Sequence, residues 1–229
     1  MLLKFLGHSC FSLSIGATSL IIDPYLNENP QAVIKAGEIK TDWVLVTHGH
    51  HDHMGDAVEI AKRNNATIIT ITEIARYCEA RGAKTHAMYI GGKHDFGGFK
   101  IKLTLALHGS SIGTDPIEYL GQPCGFLIFT EGKTIYFAGD TGIFGDMELI
   151  GRLHPIDLVI LPIGDNFTMG PEDALEAVKL IKPAHVIPTH YNTWDIIAQD
   201  PRVFKNEVEK ETGIPVTILS PGDTFSIDS

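Results

Sequence analysis

Seven residues, Thr47 to His53, contain four histidines and one aspartate directly after the apolar segment Trp43 to Val46. Such a segment is typical of a buried strand, and binding or catalytic residues concentrate in the loops that follow strands. His48 and His50 flank one small residue and can reach a common metal ion, while Asp52 and His53 can turn toward a neighbouring ion. The alternative, a solvent-exposed histidine-rich turn, is disfavoured because this fixed spacing is rare by chance. The sequence therefore predicts a metal site at the end of a strand.

This loop cannot complete a site for two metal ions, because each ion needs about four or five donors counting solvent. Three later residues, His108, Asp140 and His190, each follow an apolar predicted strand and lie beside Gly or Thr. We therefore predict one metal-binding rim with the ligands His48, His50, Asp52, His53, His108, Asp140 and His190. The histidines without this context are interpreted as structural or surface residues: His86, His94, His154 and His185.

The remaining pattern predicts a chain with two halves, each rich in strands and each containing helices. Strands are predicted at 2–6, 11–15, 19–22, 43–46, 67–71, 84–89, 97–108, 122–139 (a hairpin), 156–163, 184–188, 216–219 and 224–227. Helices are predicted at 56–64, at 72–81, from Pro171, and from Pro201 to about 211. Periodicity alone supports an α/β or α+β class, and the length of 229 residues favours one domain over residues 1–229.

Composition excludes several classes of protein. The formal net charge of −10 disfavours binding to a nucleic-acid backbone. No apolar run approaches the roughly 18 residues of a membrane span, and residues 1–7 lack a signal-peptide pattern, so we expect a cytoplasmic protein without membrane contact. Three cysteines without Cys-x-x-Cys spacing predict free thiols. The oligomeric state cannot be inferred from these features.

The motifs together resemble the metallo-β-lactamase superfamily. The resemblance rests on the His48 to His53 run, His108, Gly139-Asp140-Thr141 and His190. Further segments resemble a narrower family of metal-dependent hydrolases related to the ascorbate-phosphate lactonases: Gly7 to Cys10, Ile22 to Pro24, Leu107 to Ser111, Pro162 to Pro171 and His190 to Thr193. The resemblance implies a four-layer αββα sandwich, in which two mixed sheets pack face to face between helices.

The resemblance also implies roles for the ligands. It assigns His48, His50 and His108 to one divalent ion, assigns Asp52, His53 and His190 to the other, and makes Asp140 the bridge. Related diiron enzymes that reduce oxygen or nitric oxide usually have a carboxylate at the position of His50, so this histidine favours hydrolysis. Imidazole ligands favour zinc, although manganese or iron also suit a site with carboxylates. Asp52 is predicted to be catalytic by orienting the attacking hydroxide or taking its proton.

Six further residues are candidates for contacts around the site, and each has a plainer interpretation. Asp23 is predicted to orient a ligand histidine or, equally, to form an Asp-Pro turn. His8 is predicted to reach the rim or to have a core or capping role. The remaining four are candidates for substrate contacts, or are ordinary loop-forming residues: Thr141, Asp165, Asn166 and Asn192.

The leading hypothesis is a hydrolase that acts on a small-molecule ester, lactone or phosphoester. A lactone or a phosphorylated sugar-acid ester is favoured only by the relation to the lactonases. A phosphodiesterase or nuclease is a second hypothesis, which the acidic charge disfavours. A non-catalytic metal-binding or ligand-sensing module is a third, and it is disfavoured because no ligand position is missing. The sequence does not identify a general acid.

Overall fold

The computed structural model describes residues 1–227, which contain two large mixed sheets and a two-stranded ribbon. The strands are β1 Leu2–Gly7, β2 Cys10–Ile15, β3 Thr18–Ile22, β4 Trp43–Leu45, β5 Thr67–Ile71, β6 Lys84–Met88, β7 Lys93–Asp95, β8 Lys100–Leu105, β9 Ser111–Ile112, β10 Glu118–Tyr119, β11 Cys124–Thr130, β12 Lys133–Phe137, β13 Leu158–Pro162, β14 Val186–Thr189 and β15 Thr224–Ser226. The helices are α1 His51–Met54, α2 Ala57–Asn64, α3 Thr72–Glu79, α4 Asp146–Leu153, α5 Pro171–Ile181 and α6 Pro201–Thr212. Short 3-10 turns lie at Ala36–Glu38 and Asp195–Ile197.

Each large sheet has an antiparallel part and a parallel part. The strand order is β15-β1-β2-β3-β4-β5-β6 in the first sheet and β14-β13-β12-β11-β8-β7 in the second. Strands β3 to β6 run parallel in the first sheet, as do β12 to β14 in the second. Parallel neighbours need crossover connections, and helices α2, α3 and α5 lie in these connections.

The two sheets pack face to face around one apolar core. Side chains alternate between the two faces of a strand. In β11, Phe126 and Ile128 therefore face the core shared with the first sheet, whereas Leu127 packs on the opposite face with residues of α4, α5 and α6. Across the core, the rings of Phe11 in β2 and Phe137 in β12 lie 6.0 Å apart. Helices α2 and α3 cover the other side of the first sheet, where Ile60 and Ile74 are fully buried. The predicted arrangement of two mixed sheets between helices is confirmed.

Several predicted boundaries were wrong. The predicted strand 97–108 is shortened at both ends to β8, because a turn at Gly97, with a φ of +85°, separates β8 from β7, which was not predicted. The predicted strand 216–219 is reduced to one bridge between Val216 and Val186. Helix α4 was not predicted. Among residues 1–227, no helix has the length and apolar character needed to cross a membrane.

Candidate metal centre and active site

The histidine-rich segment is a loop that becomes one turn of helix. Strand β4 ends at Leu45, and α1 begins at His51 after His50, whose backbone oxygen accepts from the amides of His53 and Met54. This turn directs His51 away from the other histidines, where its Nε2 lies 2.7 Å from Glu28 Oε2 at the surface. Asp52 and His53 face the opposite way, toward residues of the second sheet. Three of the four histidines in the cluster are therefore available to one site.

His48, His50 and His108 form a group of converging imidazole nitrogens. Nδ1 of His50 lies 3.1 Å from Nε2 of His48 and 3.1 Å from Nε2 of His108. Nitrogens bound to one tetrahedral zinc ion at about 2.0–2.1 Å lie about 3.3 Å from each other, so this spacing suits a single ion. Burial lowers the pKa of all three rings, which keeps them neutral and able to offer a lone pair.

A second group of donors lies beside the first, with Asp140 between them. Asp52, His53 and His190 have donor atoms within 4.8 Å of one another, together with His8. Oδ2 of Asp140 is 2.9 Å from His190 Nε2 and 3.2 Å from His53 Nε2. The same oxygen is 3.6 Å from Nε2 of His108 in the first group. The seven residues predicted as ligands therefore lie together, and Asp140 lies between the two groups.

Asp23 and Thr47 fix the orientation of two histidine rings. Oδ2 of Asp23 accepts from His53 Nδ1 at 2.8 Å and from Thr47 Oγ1 at 2.7 Å. Since Thr47 uses its proton for Asp23, its oxygen accepts from His48 Nδ1 at 2.9 Å. A neutral ring whose Nδ1 carries the proton presents a bare lone pair at Nε2. His48 and His53 are thus both held in the form that binds a metal through Nε2.

Buried polar atoms without partners test whether a metal fits. Nε2 of His53, Oδ1 of Asp140 and Nδ1 of His190 are buried without a hydrogen-bond partner. Two lone pairs, on His53 Nε2 and Asp140 Oδ2, face each other at 3.2 Å unless a cation lies between them. Burial opposes protonation of His53 and His190, but Asp140 raises the pKa of both rings, that of His190 to about 9. The cluster therefore requires positive charge, which either protons or a divalent metal can supply, and its donors fit a metal.

His8 lies behind Asp52 and is fully buried. Its Nε2 donates to Asp52 Oδ2 at 3.0 Å, because an ionised carboxylate only accepts. Its Nδ1 lies 2.7 Å from Thr193 Oγ1, which donates in turn. Burial lowers the pKa of His8 to about 4, so the ring is neutral and carries one proton. His8 is thereby placed to hold Asp52 in position.

The four predicted substrate-contact residues do not line the cleft above the metal cluster. Thr141 is buried, accepts from the Leu107 amide at 2.9 Å and thus joins the loops of His108 and Asp140. Asp165 accepts from the amide of Asn166, and both residues have positive φ. Oδ1 of Asn192 accepts from the amide of Gln199. All four shape loops, and the structure does not bring them to the cleft.

The cleft has a volume of about 380 Å³ and includes three aromatic residues that sequence reasoning missed. Tyr25, Phe167 and Trp194 lie with His50, Asp52, His108, Asp140 and His190 along its wall, and His51 completes the lining. Loop aromatics follow no fixed spacing: Phe167 falls within the segment Pro162 to Pro171 that carries the family resemblance, but no sequence signal marked Tyr25 or Trp194. A larger groove of about 630 Å³ lies near Gly97 and Gly132, but its lining contains no histidine, so it lacks the imidazole donors found in the cluster.

Comparison with known proteins defines the class. A family model described as a beta-lactamase superfamily domain matches residues 2–190, so the chain belongs to this superfamily. Two relatives, from Desulforamulus reducens and Pelotomaculum thermopropionicum, are each 58% identical over 229 residues, covering 99% of this chain and all of the relative. Both carry the name UPF0173 metal-dependent hydrolase, and this chain belongs to that family of metal-dependent hydrolases.

A solved structure agrees with this assignment. Igni18, described as a novel metallo hydrolase from the archaeon Ignicoccus hospitalis, superimposes with a TM-score of 0.90 at 38% identity and covers 98% of each chain. The proposed relation to ascorbate-phosphate lactonases receives no support from these comparisons and remains an expectation.

Proposed function

We propose that the chain hydrolyses an ester or lactone bond in a small molecule with the help of two divalent metal ions, zinc being the first choice. The observation that carries this proposal is the pair of adjacent donor groups joined by Asp140 Oδ2, which lies 2.9 Å from His190 and 3.6 Å from His108. A single donor group on its own would hold only one ion. Two groups sharing a carboxylate are the arrangement of two-metal hydrolytic sites.

The residues divide between the two proposed ions as follows. His48, His50 and His108 would hold one ion through three imidazoles, a ligand set that suits zinc. Asp52, His53 and His190 would hold the other, and Asp140 would contact both. Because the second group has a carboxylate of its own, it would also accept manganese or iron.

Ions bound there would provide hydroxide near neutral pH and polarise the carbonyl group under attack. Asp52 is the carboxylate placed to orient the attacking water and to take its proton, since Asp52 lines the cleft and is held from behind by His8. The water oxygen bonds to the carbonyl carbon, and the bond from that carbon to the leaving oxygen breaks. The leaving oxygen keeps the electron pair and takes up a proton, giving an acid and an alcohol.

Metal content and turnover test the proposal together. Protein purified without chelator or histidine tag should contain about two equivalents of divalent metal per chain and should hydrolyse members of an ester and lactone panel. Asp140→Asn and His190→Ala should lower both quantities, with turnover falling at least about a hundredfold. His94→Ala, which alters an exposed histidine outside the cluster, is the matched control and should change neither.

Unchanged metal content and turnover in Asp140→Asn and His190→Ala would remove the proposed site. If the protein binds two metal ions and hydrolyses a chromogenic phosphodiester but no ester or lactone, the bond that it cleaves is a phosphodiester and the proposed substrate class is wrong. One equivalent per chain, unaffected by added zinc, would contradict the two-metal arrangement.

A further inference from the structure

The cleft above the donor groups has aromatic walls that the proposed chemistry does not use. Tyr25, Phe167 and Trp194 come from three separate loops, after β3, after β13 and after β14. Phe167 is 51% exposed and Trp194 is 38% exposed. Large apolar side chains placed together beside a reactive site gain free energy when a ligand covers them.

The aromatic residues present ring surface to the cleft and little polarity. The hydroxyl of Tyr25 donates to the backbone oxygen of Glu28 at 2.9 Å, so it is already engaged. The ring of Trp194 lies 5.0 Å from that of His8 and 6.4 Å from that of Tyr25, which limits its rotation. A flat apolar group is the ligand that such faces accommodate best.

Apart from the donor groups and any ions that they bind, the walls of the cleft carry no fixed positive charge. Its nine lining residues include Asp52 and Asp140 but no Lys or Arg. At its edge, Glu28 contacts His51 and adds a third carboxylate. All 18 Lys and Arg residues of the chain lie outside this lining. A phosphate or carboxylate located away from the reacting bond would therefore lose water without gaining a cationic partner.

We propose that the substrate is an uncharged ester or lactone whose flat, apolar substituent packs on Trp194 and Phe167. This inference rests on the proposed hydrolysis of an ester or lactone and narrows its substrate class. It disfavours the phosphorylated sugar-acid esters that the resemblance to lactonases favoured. The reacting carbonyl lies over the donor groups, and the substituent covers the aromatic wall.

A matched pair of lactones tests the substituent. γ-Phenyl-γ-butyrolactone should be hydrolysed with a kcat/KM at least about tenfold above that of the same ring carrying a carboxylate in place of the phenyl group. Trp194→Ala and Phe167→Ala should each lower kcat/KM for the phenyl lactone about tenfold, mainly through a higher KM. Tyr89→Ala is the control, because Tyr89 is 63% exposed and lies outside the cleft lining. Equal or faster turnover of the carboxylate lactone would overturn the inference.

Binding of a ligand that cannot be hydrolysed separates this inference from the proposed reaction. 2-Phenyltetrahydrofuran lacks the carbonyl, and it should change the emission of Trp194 in a Trp43→Phe background, whereas tetrahydrofuran-2-carboxylate should not. If the phenyl ether binds and no lactone is hydrolysed, the proposed hydrolysis is wrong, but the proposal that the aromatic wall binds a flat apolar group stands. Lactone hydrolysis without binding of the phenyl ether would show that the aromatic wall does not bind the substituent. Equal binding of the phenyl ether after Phe167→Ala would show the same.

Discussion

One buried carboxylate, that of Asp23, controls the form of two proposed metal ligands. It accepts from Thr47 at both the amide and the hydroxyl, and it accepts from Nδ1 of His53. His48 is connected to it through Thr47. The rings of His48 and His53 therefore depend on the same acceptor, which makes Asp23 a positioning residue for both donor groups.

We expect Asp23→Asn to weaken metal binding about 10- to 100-fold, because an amide offers one acceptor oxygen where the carboxylate uses two. Thr47→Val should weaken it less, since it breaks the connection to His48 and leaves the bond from His53 to Asp23 intact. Competition with a zinc-binding dye measures both affinities, and circular dichroism checks that each variant is folded. Equal affinity for zinc in the wild type and in folded Asp23→Asn would show that Asp23 has no positioning role.

The sequence predicts the members of the donor groups and one of the two roles given to Asp23, contact with a ligand histidine, but not which histidine or the connection through Thr47. His48, His50 and His53 are recognisable because chemistry and strand position combine in a short segment. Asp23, which makes the bond to His53, has a φ of +46°, a conformation that is uncommon for residues other than glycine although Asp adopts it more readily than most, and no local sequence pattern predicts it. Aromatic residues such as Trp194 become part of the cleft through loop packing, and no local spacing encodes that.

At the level of elements, the predicted strands and helices agree with the structure where the apolar pattern is continuous. They disagree where contacts with distant parts of the chain determine whether an element forms. Strands β5 and β13 are fully or mostly buried apolar runs and were predicted to within about two residues. In helix α4 only Met147 is buried, whereas Leu149 and Leu153 are exposed, so its apolar residues do not all mark a buried face. It forms because it packs against α5, a contact that local periodicity does not reveal.

Gly151 determines how closely α4 approaches α5. A Cβ at this position would overlap the backbone oxygen of Ile181, so Gly151→Ala must separate the two helices. We expect a loss of about 1–3 kcal/mol in the free energy of unfolding. Gly145→Ala, just before the same helix, adds a Cβ with no heavy atom within 4 Å and should change this free energy by less than about 1 kcal/mol. Denaturant unfolding of both variants measures the difference, and equal stabilities would contradict the close helix contact.

At the scale of the whole molecule, the donor groups join the two sheets. His48, His50, Asp52 and His53 follow β4 of the first sheet, whereas His108, Asp140 and His190 follow strands β8, β12 and β14 of the second. Hydrogen bonds cross between the sheets nearby, from the Cys124 amide to Thr47 and from the His190 amide to His8. An ion held by His48, His50 and His108 would thus connect residues of both sheets.

Removing the metal should therefore lower the stability of the entire fold. A ligand that binds only the folded chain stabilises it by about 4 kcal/mol at a thousandfold excess over its Kd, which corresponds to roughly 8–16 °C in the unfolding temperature of a chain of this size. We expect a chelator to lower the unfolding temperature by an amount in this range and added zinc to restore it. Asp140→Asn is the control. Because this change weakens the connection between the two donor groups, chelator should change the unfolding temperature of this variant much less. An unfolding temperature that chelator leaves unchanged in the wild type would mean that the folded chain binds no removable ion, because any ligand specific to the folded state must raise this temperature.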